Sequence, residues 1–373
     1  MKICIITHNV LKGDGQGRVN YEIVWEAIRR GHEVTLLATS VAPDLQQSDR
    51  VHWILVKVKG IPTQLLSNMI FSWKSARWLK QYASMFDLIK VNGALTSIAA
   101  DVNAVHFVHS SWLRSPAHIS RQRRDYYGVY QWFYTWLNAQ WEKQTLRQAS
   151  TIVAVSEKVK RELVEVGVPA NTIRIILNGV DLQEFFPGSS DRSQWGLPNQ
   201  IPVALFVGDI RSSRKNLDTV LRALVHVPDL HLAVVGKLEG SPYPKLVETL
   251  ELTKRVHFLG FRRDVAEIMR ATDLFVFPSR YEACTLVLFE AMASGLPVIT
   301  AITAGGCEVV TAESGIVLLD SEDVNGLAEA MNLLAKNPLK RQQMGQASRA
   351  VVQQYGWDSV AKSYVDLFEE LGS

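Results

Sequence analysis

The chain has 373 residues, 47% of them hydrophobic and 21% charged, a soluble globular composition long enough for two domains with separate cores. Its 40 Lys and Arg against 37 Asp and Glu leave a net charge of +3, unevenly spread: 22 against 15 in residues 1–190, and 18 against 22 in the rest. A basic first half points to an anionic partner, with membrane lipid and a phosphorylated glycan both open, and no zinc-finger, RNP or similar signature directs it to nucleic acid.

Cys4, Cys284 and Cys307 lack metal-ligand spacing and imply no disulfide framework, which fits a reducing cytosol. The first residues are too short an apolar stretch for a signal sequence, and no apolar run approaches a membrane span.

Residues 2–7 read as a buried strand. A turn holding Gly13, Gly15 and Gly17 follows, then a helical pattern from about Val19 to Arg30 and a strand from Val34. Strand, glycine turn, helix and strand make a Rossmann-type unit. Its glycines let the backbone approach a ligand, and free N–H groups at the helix start favour phosphate. A plain flexible turn fits the same glycines.

Further strands are read at 51–58, 87–93 and 104–109, with a mostly helical stretch over 63–86. His109 ends its strand, where it either faces a cleft or serves the core. Residues 112–147 combine Arg114, Arg121, Arg123 and Arg124 with Tyr126, Tyr127, Tyr130, Trp132, Phe133, Tyr134, Trp136 and Trp141. That mixture suits core packing, a membrane interface or a sugar-binding surface. A strand at 151–156, a helix at 157–166 and a short strand at 173–177 precede the turn at 178–181. A linker-like stretch at 185–191 then ends the first domain.

The pattern restarts with a strand at 203–207 that ends at Gly208. A polar loop carries Asp209, Arg211, Arg214, Lys215 and Asn216 into a helix from about Leu217. Strands at 231–235 and 256–260 and a short helix at 265–271 come next. Residues 273–277 read as a buried strand stopped by Pro278. Glu282 therefore sits in the loop after a strand, and Glu290 about two turns further on, inside a helix. Ligands of open α/β sheets bind at the carboxyl ends of strands, where Glu282 falls. Alone, the two residues read as one solvated loop carboxylate and one helix carboxylate. A strand at 297–300, a turn at 304–308 and helices to the end complete the second unit. The fold class is α/β, with two tandem Rossmann-like domains at 1–180 and 181–356.

Several of these residues together resemble a known family. They are the Gly15 turn with Arg30, Gly31, His32, Glu33 and Val34 after it, then His109, Val155 with Ser156, and the run 178–181. Gly208 with residues 211–216, Glu282-x7-Glu290, and Gly305 with Glu308 complete the set. In this order, over nearly the whole chain, they resemble the retaining, nucleotide-sugar-dependent glycosyltransferases of the GT-B fold.

The resemblance implies two domains facing across a cleft, the first on the acceptor side and the second on the donor side. It also implies a C-terminal helix, about 357–373, that crosses back to the first domain. Glu290 then accepts both ribose hydroxyls, since two adjacent hydroxyl donors match a carboxylate's two oxygens. Lys215, with Arg211 or Arg214, clamps the diphosphate and offsets charge on the departing nucleoside diphosphate. Glu282 contacts hydroxyls of the donor sugar, and His109 lies beside the transferred sugar. Gly15 brings backbone close to the phosphates, and Gly305 belongs to the same donor site. No Asp-x-Asp is present to hold a metal, and none is expected, nor any cofactor beyond a UDP- or GDP-sugar.

The implied reaction moves a hexose-type sugar to a hydroxyl of a glycan or lipid-linked acceptor. Anomeric configuration is retained, either by double displacement, for which the family offers no clear carboxylate nucleophile, or by a same-face route in which the leaving phosphate helps take the acceptor proton. The basic, aromatic first half adds peripheral attachment to an anionic inner membrane face, from the cytoplasm. Two other readings remain: an epimerase or hydrolase on the same fold, and an inactive sugar-nucleotide-binding module. The chain departs from the family pattern at Ala283, Cys284 and Thr285, beside the expected sugar contact, at Asp14 before Gly15, and at Val91, Asn92 and Gly93 at a strand end.

Overall fold

The computed structural model describes residues 1–13, 15–58, 60–61 and 63–372; Asp14, named with the Gly15 turn, lies outside them. The chain forms two compact units, Met1–Gly179 with Trp357–Ser373, and Val180–Gly356.

The first unit is built on a seven-stranded sheet. From edge to edge it runs Val51–Leu55, Glu33–Ala38, Lys2–Ile6, Leu88–Asn92, Val102–Val105, Thr151–Ala154 and Ile173–Ile175. Every pairing is parallel. Strands covered on both faces must be apolar throughout, and Ile3, Cys4, Ile5 and Ile6 are all fully buried. Strand order reverses between Lys2–Ile6 and Leu88–Asn92, which makes the carboxyl ends of those two strands the unit's switch point.

The first helix runs Gly15–Arg29, so it begins four residues before the periodic pattern does. Gly15, expected in a turn, opens the helix. The apolar repeat on which the expectation rested starts only at Val19, and glycines carry no side chain to signal a face. Gly31, at φ 87, closes this helix in a conformation that suits glycine. His109 is also displaced from expectation. Its strand stops at Val105, and His109 is the first residue of a short helix, His109–Arg114.

The helix Tyr126–Leu146 is capped by Asp125, whose side chain accepts from the Gly128 N–H. It buries Gly128, Thr135, Asn138, Ala139, Glu142, Thr145 and Leu146 and leaves Tyr130, Tyr134 and Trp141 half-buried, so the core reading holds for few of its aromatics and for none completely. Tyr126 is 89% exposed, and Trp132, Phe133 and Trp136 are exposed as well. Small and polar residues let the helix lie close to its neighbours, which leaves most of the rings outside.

The C-terminal helix Trp357–Gly372 packs in this first unit. Tyr364 and Phe368 are fully buried, and Arg30 pairs with Asp366 and Glu369, each at 2.8 Å. Gly179 makes the crossing feasible, because a Cβ there would lie 2.5 Å from the Trp357 ring.

The second unit holds a six-stranded sheet ordered Val256–Gly260, His231–Val235, Val203–Val207, Leu274–Phe277, Val298–Ala301 and Gly315–Leu318, again parallel throughout. The last strand falls in the stretch read as helical; it is a four-residue edge element, too short to show a period. The switch point lies between Val203–Val207 and Leu274–Phe277.

Candidate functional site

Both ends of the second unit's switch point carry polar loops. After Val207 comes Gly208, then a loop that ends in a single 3-10 turn, Ser213–Lys215. Asn216 follows in the left-handed region at φ 66. It is fully buried, and its side-chain amide donates to Pro278 O at 2.8 Å and Ser321 O at 2.6 Å. A residue held in that conformation by two buried bonds fixes the direction of the chain on either side. Arg280 adds three ties: its guanidinium reaches Ser213 O at 2.6 Å and Asp218, and its N–H reaches Arg214 O at 2.9 Å.

This scaffold aims Lys215 at Glu282. Lys215 Nζ lies 2.5 Å from Glu282 Oε1, and Arg214 lies 3.5 Å from the same oxygen. Both partners of the shorter pair are largely buried, at 15% and 12% side-chain exposure. Burial lowers the Lys215 pKa, and the neighbouring Glu282 charge offsets part of that. Arg211 is not in this cluster. It forms a fork with Asp209, at 2.8 and 2.9 Å, and lines a cavity of about 270 Å³ with Gly208, Gly236, Phe261 and Arg262.

Gly305 shapes the Glu282 loop. Its N–H donates to Glu282 O at 3.0 Å and its carbonyl accepts from Thr285 N at 2.9 Å. A Cβ at Gly305 would lie 1.9 Å from Ala283 O, so only glycine fits unless the loop moves. Glu290 sits in the helix Leu286–Ala293, partly buried. Among the described residues none donates a hydrogen bond to its carboxylate. Burial, with Glu184 nearby, pushes its pKa up to about 7.

In the first unit, His109 lines a cavity of about 140 Å³ with Gln16, Asn92, His106 and Glu142. Glu142 accepts from His109 N at 2.8 Å and holds the start of that short helix. Burial depresses His109 to about 4 and pushes Glu142 up to about 7, so the histidine is neutral at pH 7.

Of the residues named from sequence, the structure brings Lys215, Arg214, Glu282 and Gly305 together. Glu290 stands on the helix that leaves the same loop, and Arg211 is turned away. Gly15 and His109 belong to the other unit. Sequence reading named Asn216 in the loop without a role, and missed Arg280, Asp218 and Glu142, which act through contacts 33 to 67 positions away in the chain.

Two parallel-sheet units of this topology define a GT-B-type α/β protein, and comparison with known proteins agrees. Residues 13–184 match the model of Glycosyltransferase Family 4, and residues 189–351 that of glycosyl transferases group 1. Both models are of glycosyltransferases, and together they span most of the chain. The chain is 30% identical over 250 residues to the D-inositol 3-phosphate glycosyltransferase of Xylanimonas cellulosilytica, a match covering 61% of this chain and 59% of that protein. The chain thus spans about three fifths of the length of the curated relatives it matches. Among solved structures, sucrose-phosphate synthase from Thermosynechococcus elongatus superposes with a TM-score of 0.80 at 22% identity. It covers 99% of this chain and 98% of that one. Anabaena HepE in complex with UDP and glucose gives 0.71 at 20% identity, over 99% and 100%.

Proposed function

We propose that the protein transfers a hexose-type glycosyl group from a nucleoside-diphosphate sugar to an acceptor hydroxyl, with retention at the anomeric carbon. The observation that carries this reading is the convergence of Lys215 and Arg214 on Glu282 at the switch point of the second unit. Glu290 stands on the helix that leaves the Glu282 loop, with no hydrogen-bond donor among the described residues. Two cations there offset the charge that builds on a departing diphosphate, and Glu282 keeps the lysine ammonium in place until the phosphates arrive. Arg214, rather than Arg211, is the second member of the clamp, because Arg211 is engaged by Asp209.

Glu290 accepts the two ribose hydroxyls. The base occupies the cavity of about 270 Å³, whose walls include Phe261 and the fork-held Arg211. The structural neighbour bound to UDP and glucose supports a UDP-sugar as the first donor to try.

The second unit is the donor side, and the first is the acceptor side. A neutral His109 there acts as a hydrogen-bonding neighbour of the sugar rather than as a charge. The exposed rings of Trp132, Phe133 and Trp136, with the basic residues before them, support peripheral contact with an anionic leaflet. Among the described residues no helix is long and apolar enough to cross a membrane.

A panel of radiolabelled UDP- and GDP-sugars, incubated with and without glycan acceptors, tests the reading. Acceptor-dependent release of nucleoside diphosphate supports it. Donor turnover that is indifferent to acceptor favours an epimerase or hydrolase, and binding without turnover an inactive module.

A further inference from the structure

The first unit carries two adjoining pockets of opposite character. The polar cavity of about 140 Å³ lies at that unit's switch point, where Asn92 ends its strand and Gly93 follows. At about 30 Å³ per water it has room for roughly five waters, the size of one ring-sized polyol. Three of its lining residues have buried polar atoms without partners: Asn92 Nδ2, His106 Nε2 and His109 Nδ1. Asn92 itself is only 3% exposed. Buried polar groups are normally satisfied, so unpaired ones around a cavity mark where a ligand's hydroxyls go.

The second pocket, of about 280 Å³, is lined by Met69, Trp73 and Trp141, with small and hydroxylated residues and the Gln144 amide completing it. Ala94 belongs to both walls. The two helices that bound the pockets each split their sides in the same way. Asn68 lines the polar cavity and Met69 the apolar one; Glu142 lines the polar cavity and Trp141 the apolar one. Consecutive helical residues point about 100° apart, so each helix puts a large apolar side chain into the second pocket and a polar one into the first, while Gln144 and Thr145 also face the second and Leu146 the first. Trp73 is 59% exposed and Met69 42%, which leaves the apolar pocket open to an entering chain.

Charge narrows the occupant further. Among the described residues no Lys or Arg lines either pocket, and Arg77 lies over the outer Trp73 ring, 5.7 Å from its centroid. Lys90 is nearby, but it is fully buried behind Asn92 and spends its ammonium on Asn20 at 2.6 Å and Asn92 at 2.9 Å. Glu142 is the acidic member of the polar wall. A phosphate on the ring would lie against a carboxyl, and among the described residues no cation lines that cavity to meet it.

The geometry points to an uncharged amphiphile as the occupant: a neutral polyol ring seated among Asn92, His106 and His109, with its apolar chain over Trp73 and Trp141. Resting on the transferase reading above, this makes the acceptor a glycolipid of the simple glycoside type, without phosphate at the ring.

Octyl β-glucoside, held below its critical micelle concentration, is a suitable probe. Its binding to the full chain is followed by tryptophan fluorescence and calorimetry, beside glucose, octyl phosphate and glucose 6-phosphate. UDP binding is measured separately. The expected result is saturable binding of octyl glucoside, at least tenfold tighter than glucose, with neither phosphate competing. Trp73→Ala, at an exposed position, weakens octyl glucoside tenfold or more and leaves glucose and UDP unchanged. Octyl phosphate or glucose 6-phosphate binding as well as octyl glucoside overturns the proposal, as does an unchanged Trp73→Ala. UDP binding without octyl glucoside binding also overturns it while sparing the transferase reading. Trp73-dependent octyl glucoside binding without any nucleotide binding sustains the site and sinks that reading.

Discussion

Replacing Glu290 by glutamine keeps the side chain's shape and removes its charge. In the folded chain burial, with Glu184 nearby, raises this carboxyl from 4.5 to about 7. The folded protein therefore holds more protons than the unfolded chain between those two pH values. The stability contributed by the neutral form is complete below about pH 4.5 and is lost as pH rises through 7. At 1.36 kcal/mol per unit, the ionised carboxylate costs the nucleotide-free protein about 3 kcal/mol at pH 8. Glutamine carries no charge at any pH and escapes this cost.

Urea unfolding of Glu290→Gln should thus show a gain of up to about 3 kcal/mol over wild type at pH 8 that shrinks to nothing near pH 4.5. Nucleotide binding moves the other way. Hydrogen bonds to a charged group are worth about 1.5–3 kcal/mol, so the variant binds the nucleoside diphosphate roughly 10- to 100-fold more weakly by calorimetry. Wild-type affinity is level above pH 7 and falls by up to about tenfold per unit below it, as the accepting carboxylate is protonated. A variant that is no more stable than wild type at pH 8, or that binds UDP and GDP as wild type does, refutes the reasoning.

Lys215→Ala leaves Glu282 largely buried with Arg214 and the Ser279 hydroxyl each at 3.5 Å, and should cost up to about 3 kcal/mol of stability. The double variant Lys215→Ala/Glu282→Ala recovers part of that in urea unfolding while transfer stays low. Arg214→Ala should lower kcat more than Arg211→Ala does, and equal effects in steady-state assays would contradict the assignment of the clamp. Gly305→Ala must move the Glu282 loop away from the 1.9 Å contact with Ala283 O. A drop of about 10²-fold in transfer is expected, in line with displaced catalytic groups, and wild-type rates would show that the loop's position is unimportant.

Much of the fold was legible because parallel strands announce themselves. Runs such as Ile3–Ile6 and Leu274–Phe277 are buried on both faces and so read as unbroken apolar stretches bounded by polar turns. The helix at Gly15 and the strand Gly315–Leu318 were not legible, since one opens on residues without side chains and the other is four residues long. At the site, the chemical types were visible and their pairings were not. Nothing in the spacing of Lys215 and Glu282, 67 positions apart, shows that they meet, nor that Arg211 is claimed by its neighbour Asp209. The aromatic helix misled for a related reason. Large rings normally go inside, but here Thr135, Asn138, Ala139 and Thr145 take the packed face and leave most of the rings outside.

The central claim is a transfer reaction run from the Lys215, Glu282 and Glu290 cluster, and one measurement addresses it most directly. Wild type, Lys215→Ala and Glu290→Gln are each incubated with the labelled sugar nucleotide that binds best and with an octyl glycoside acceptor, and the product is read by NMR. The account predicts an acceptor-linked sugar of the donor's own anomeric configuration from wild type, with the rate lower by about 10²-fold or more in each variant. A product of inverted configuration, or variants that work as fast as wild type, would contradict it.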